Sequence, residues 1–197
     1  MINRVITLNE NDKLHKKLVE ELSKATDDNL VIVARSYKNR KDDLIKPIDV
    51  KNGIYFYVAY KLKEKLAFLS KVTTEQIYRA KANTVRNVVI GDMIDVMLGG
   101  GYGIDDWEPS DELMNVVTTV DRADGAGILY CSEFLKAMRD MIGEYYILPS
   151  SIHEILFVPK EAGERDALVD LVREVNATQL SDNEFLADDV FEIEDWV

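Results

Sequence analysis

The chain holds one cysteine, Cys131, and two histidines, His15 and His153, among 197 residues. A single thiol cannot close an internal disulfide, which excludes a disulfide-stapled secreted domain and suits a reducing compartment. No Cys or His spacing resembles a zinc motif, so a metal site of that kind has no ligand set. No apolar run approaches the roughly 20 residues that a membrane helix requires. The N-terminus, MINRVITLNENDKLHKK, lacks the apolar core of a signal peptide. The expectation is a cytoplasmic protein without a membrane partner or a cofactor.

Positive charge is scarce over much of the chain. The net charge is -12, unevenly spread: residues 1–81 carry 17 Lys/Arg against 11 Asp/Glu, residues 82–160 carry 5 against 13, and residues 161–197 carry 2 against 12. Nucleic-acid affinity rests on neutralising phosphates, so the C-terminal two thirds would repel such a ligand. The local exception is Arg35, Lys38, Arg40 and Lys41 around Tyr37, a candidate binding loop whose plainer reading is a solvated turn. The acidic remainder reads as a solubilising surface or as a face for a protein partner.

What is present suffices for a full core, at 47% hydrophobic. Leu14, Leu18 and Leu22 predict a helix over 11–25. NLVIVAR (29–35) and IYFYVAY (54–60) read as strands, 37–52 as loop, and 66–69 as either a strand or a helix start. Thr73-Thr74-Glu75-Gln76 is a capping box opening a helix to about Thr84. The apolar pattern weakens over 87–90, resumes with Met93, Ile94 and Met97, and stops at the glycines of 99–103. Further on, 114–120 and 127–130 read as a hairpin, and Ser132 as the cap of a helix to Ile142. Strands follow at 145–148 and 155–158, then a helix at 165–177 with a stripe of Leu168, Leu171, Val172 and Val175. VFEIEDW (190–196) alternates like a half-buried strand. The fold class is α+β: a mainly antiparallel sheet with helices packed on one face, its C-terminal order β-β-α-β-β-α-β. Residues 1–52 stand apart as a variable helix-strand region and 53–197 as the α+β domain, though the two can be continuous.

Four residues carry the candidate chemistry: Ser150, Ser151, His153 and Glu154, between two β-prone runs in YYILPSSIHEILFVP. A serine activated by His153 and oriented by a carboxylate is the sharp reading. No Gly-x-Ser-x-Gly elbow supports it, and adjacent strand residues such as His153 and Glu154 point to opposite faces. The plain reading has both serines bonding turn amides. Asp182, Glu184, Asp188 and Asp189 cluster but fail the calcium-loop pattern. GGGYG lacks the Gly-Lys-Ser/Thr end of a phosphate loop and reads as a connector. Cys131 stands at a strand-to-helix junction, where a helix N-terminus could lower its pKa, with packing the default.

YYILPSSIHEILFVP and LVREVNATQLSDNEFLADDVFEI together resemble an uncharacterised family of clostridial gut bacteria, a domain of unknown function. The similar pieces are Ile147–Glu154, Val172–Thr178 and Leu186–Asp189, where LADD replaces a serine-containing form. TTEQIYRAKANT (73–84) and GAGILY (125–130) add to the resemblance, which covers about 66–197. It implies a bacterial cytosolic setting and leaves 1–52 as a divergent or shortened part, and it assigns no catalytic residue. The leading expectation is therefore a non-enzymatic domain that binds a protein through its acidic face or a sheet edge. The alternative is a hydrolase-like enzyme with its site at 150–154.

Overall fold

The computed structural model describes residue 23 and residues 25–40, 45–62, 65–109, 114–149 and 151–197. The helix expected over 11–25 lies almost wholly outside them. The α+β class holds, built as two antiparallel sheets with helices.

The first sheet contains β1 (Leu30–Arg35), β2 (Asp49–Lys51), β3 (Ile54–Leu62) and β4 (Lys65–Phe68). The long β3 is central: β1 lies along one edge, while β2 and β4 share the other in succession. Residues 49–51 are thus strand rather than loop. The reason is Asn52-Gly53, both at positive φ (52° and 77°), the tight turn whose twist suits a hairpin. Residues 65–68 resolve to strand because their pairing with β3 completes that edge.

The second sheet runs in the order β5 (Val88–Gly91), β6 (Asn115–Thr119), β8 (Ile155–Pro159), β7 (Tyr145–Leu148) and β9 (Phe191–Glu192). Among the described residues the complete α-helices are α1 (Thr74–Arg86), α2 (Met93–Leu98), α3 (Ser132–Ile142) and α4 (Arg165–Gln179). The capping box forms as expected: the Thr73 hydroxyl accepts from Gln76 N at 3.2 Å, and the Gln76 side chain accepts from Thr73 N at 2.9 Å. Where the helical pattern weakened, the β-branched Val88, Val89 and Ile90 make a strand. Ser132 is the first residue of α3 and Cys131 stands at its cap position without a side-chain capping bond.

Two readings are corrected. Residues 127–130 are not a hairpin partner of β6, because both of its edges are taken by β5 and β8. Gly125–Tyr130 instead forms a 3-10 turn with Gly125 to Leu129 buried. The last strand is likewise short: after Phe191–Glu192 the chain turns through a 3-10 segment, Ile193–Asp195. That turn buries Trp196, whose ring meets Phe56 and Phe191 edge-on at 6.2 and 5.5 Å.

The main core lies between the sheets, where Leu30, Ile32 and Phe56 share one cluster with Ile90, Val117, Ile147 and Phe157. Phe134, Leu135 and Met138 of α3 join it. The alternate residues Leu148 and Val158 face the other way and pack under Val169 and Val172 of α4. Leu171, expected on that stripe, is 45% exposed. Strand β1 is an edge strand, and α1 satisfies its backbone: Ile32 N donates to Thr84 Oγ1 at 2.9 Å, and Asn83 Nδ2 donates to Leu30 O at 2.9 Å.

The 3-10 turn is wedged against both sheets. A Cβ on Gly127 would overlap the Ile32 carbonyl of β1, with its carbon at 2.7 Å, and one on Gly125 would overlap the His153 carbonyl and lie 2.8 Å from Thr118 Cα. Backbone cannot yield as a flexible side chain does. Gly127→Ala is therefore expected to destabilise the fold by about 1–3 kcal/mol or more in urea unfolding, as overpacking does. Gly103→Ala, at an open position, should be nearly neutral.

Candidate functional site

Around His153 the chain makes a dense set of local bonds. His153 N donates to Ser151 Oγ at 3.0 Å, and Ser151 N donates to Glu154 O at 3.3 Å. Ile152 N donates to Glu184 O at 2.9 Å. The His153 carbonyl accepts from Gly125 N at 3.0 Å and from Thr118 Oγ1 at 2.8 Å. Nδ1 of the imidazole accepts from Asp124 N at 3.2 Å, so the neutral ring carries its proton on Nε2. Ser151 is buried, His153 and Glu154 are half-buried, and Ser150 lies outside the described residues. Ser151 Oγ and the imidazole are thus neighbours that do not bond to one another; each holds backbone.

Asp124 extends the network across the sheets. Its backbone is left-handed (φ 61°), and its Oδ1 lies 2.8 Å from Arg35 Nη2. That contact falls outside hydrogen-bond angles, so charge attraction carries it. Arg35, 1% exposed, also donates from Nη1 to Ala34 O at 2.7 Å and stands 5.5 Å from the centre of the Phe68 ring. It is an interior residue, not part of a surface loop.

Lys38 and Arg40 of that loop have partners as well. Lys38 pairs with Asp182 at 3.1 Å and lies 4.0 Å over the Phe185 ring, and the Asp182 bond raises its pKa. Arg40 stands over Tyr55, and Lys41 is outside the described residues. Asn39 Nδ2 lies within reach of the carbonyls of Asp182, Asn183 and Phe185, tying the loop to the C-terminal segment. The remaining acids of that segment are engaged too. Glu184 bonds Ser181, which holds its carboxyl below the ordinary value; Asp188 accepts from Asn176; Asp189 pairs with Arg165. Among the described residues no group of three His, Cys, Asp or Glu side chains could hold a metal, and no helix is long and apolar enough to cross a membrane.

Beside Asp124 a cavity of about 180 Å³ opens between the sheets, lined by Ile32, Lys61, Thr84, Asn87, Thr119 and Asp121 among others. Lys61 Nζ crosses it, 2.6 Å from Asp121 Oδ1 and 2.9 Å from Ala123 O. Burial pushes the Asp121 carboxyl up, but the bonds from Lys61 and Thr119 outweigh it and hold the pKa below its ordinary 3.8. Cys131 goes the other way. Burial raises its thiol to about 12, and the helix N-terminus does not activate it.

The surface missed in the sequence is α2. Met93, Ile94 and Met97 read as a core face, yet Val96 is the residue of α2 that is buried. Ile94, Met97 and Leu98 are 70%, 74% and 82% exposed, and Tyr102, in the glycine segment that follows, is 54%. The available signal was composition: MIDVML has too many apolar residues for a two-turn helix to bury on one side. After α2 the glycine segment returns to the sheet, where Ile90 and Tyr102 exchange backbone bonds of 2.8 Å along the β5 edge.

These features define an α+β protein of two antiparallel sheets, with a buried ion pair tying β1 to the 3-10 turn and an exposed apolar helix. The chain belongs to DUF5688, a family of unknown function, whose family model matches residues 2–193. The match begins far upstream of residue 66, so it takes in both sheets. No curated protein and no solved structure matches the chain.

Two outcomes are expected. Because Asp121 has a lowered folded pKa, its contribution to stability is present above about pH 4 and is lost as pH falls through that lowered value. Asp121→Asn should therefore flatten the acid limb of the stability curve, read as urea midpoint against pH. Cys131 should resist a thiol reagent in the folded protein at pH 8 and react on unfolding; rapid labelling of the native state would contradict its burial.

Proposed function

We propose that this protein is a non-catalytic binding domain that engages another protein through the exposed side of α2 and Tyr102. The observation that carries the reading is the exposure of Ile94, Met97 and Leu98 on adjacent turns of one helix. Single exposed apolar residues are ordinary, but a contiguous group of this size is a common mark of an interaction surface. Two methionines, Met93 and Met97, suit such a surface because their flexible thioethers repack against a partner. Two of the sheet edges offer less, since α1 occupies the β1 edge and Tyr102 sits on part of the β5 edge. The hydrolase reading of Ser151, His153 and Glu154 gains no comparable support, because the Ser151 hydroxyl and the imidazole Nδ1 are both engaged with backbone. A reduced, buried Cys131 fits the cytoplasm of a bacterium.

Site-specific photocrosslinking in the native host tests the reading. A crosslinker at Met97 should give a discrete protein adduct that one at Tyr78, equally exposed on α1, does not. The purified adduct partner should then bind I94S/M97S at least about tenfold more weakly, a loss near 1.4 kcal/mol. Identical adducts at both positions, or none at Met97, would overturn it.

A further inference from the structure

The surface on α2 also carries information about what covers it. Ile94, Met97 and Leu98 stand at i, i+3 and i+4, the spacing by which one helix packs against another. Asp95 on α2 itself and Asp105, Asp106 and Glu108 further along the chain are all exposed. Among the described residues none of these four makes an ion pair. Some acids elsewhere are matched within the fold, as Asp121 is to Lys61, Glu133 to Lys81 and Glu192 to Lys160. No lysine or arginine occurs between Arg86 and Arg122. Arg122 reaches the end of α2, its Nη2 3.5 Å from where a Cβ on Gly99 would sit. The exposed apolar side of α2 therefore belongs to a stretch, residues 87–121, that carries acids and no lysine or arginine.

We infer that the partner presents a cationic amphipathic helix, with leucine-like side chains meeting Ile94, Met97 and Leu98 and lysines or arginines meeting Asp95, Asp105 and Asp106. The inference rests on the binding-domain reading and adds the chemistry of the occupant. A second copy of the chain is a poor fit, because it would set the same acidic stretch against itself in a protein of net charge -12. An anionic lipid surface would be repelled for the same reason.

The test uses the full chain and two designed helical peptides with one leucine face, bearing either lysine or glutamate on the polar face, followed by fluorescence anisotropy. The lysine peptide is expected to bind at least about tenfold more tightly than the glutamate peptide and to weaken as salt rises. I94S/M97S and D95N/D105N/D106N should each cost about tenfold or more, with far-UV circular dichroism unchanged because every altered side chain is exposed. Equal binding of both peptides, still lost in I94S/M97S, would overturn the cationic partner and leave the binding surface standing. Binding of the lysine peptide that ignores I94S/M97S, or no binding of either peptide, would overturn the inference. Self-association, or sedimentation with phosphatidylserine vesicles, that I94S/M97S abolishes would assign the surface to a second copy or to lipid and contradict it.

Discussion

Gly127 has no Cβ because the Ile32 carbonyl stands where one would be, and Gly125 meets the His153 carbonyl and Thr118 in the same way. This close passage of the 3-10 turn between the two sheets sets much of the structure around it. Backbone approach brings Asp124 to Arg35 on one side and to His153 on the other. Ala126 N bonds Ile152 O, fixing the turn before β8. Ile128 and Leu129 then fill the space between the sheets, with the α3 side chains beside them. Removing an arginine from water is costly, and its attraction to Asp124 offsets that cost only while the geometry holds. The pair thus makes the two sheets interdependent.

The same constraint explains why this turn was not legible in the sequence. GAGILY reads as a β run by composition, and 3-10 structure there is imposed by tertiary contact, which no local propensity encodes. Elements whose causes are local came through. Thr73 and Gln76 specify their cap by side-chain reach alone, and the aromatic and β-branched run of β3 needs only a neighbouring strand. Strand β5 was lost because Val88 to Ile90 follows α1 after a single residue, too little polar punctuation to mark a change of period. Asn52-Gly53 was a readable signal for β2 that the surrounding polar residues obscured.

For function, periodicity showed that α2 is apolar but not which side meets water. That depends on how far β5 and the Gly99–Gly103 return already cover it. The charged residues tell a similar story. Arg35 looked like the start of a basic loop because its neighbours in sequence are cationic, while its partner Asp124 lies 89 positions away. His153 looked like a catalytic base because of the serines beside it, and its Nδ1 instead accepts a hydrogen bond from the Asp124 backbone N–H. Residues that draw attention in the sequence bond backbone or pair with charges inside the fold, while the exposed apolar residues lie on α2.

The claim that the sheets form one cooperative unit through the Arg35–Asp124 pair is tested most directly by a double-mutant cycle. Urea unfolding of the wild type, Arg35→Met, Asp124→Asn and the double variant would be followed by tryptophan fluorescence and far-UV circular dichroism. The account predicts one coincident transition in the wild type. It also predicts that each single variant loses about 3 kcal/mol or more while the double variant loses far less than the sum, because a buried charge is no longer left alone. Effects that add to within about 0.5 kcal/mol, or two separate transitions in the wild type, would contradict it.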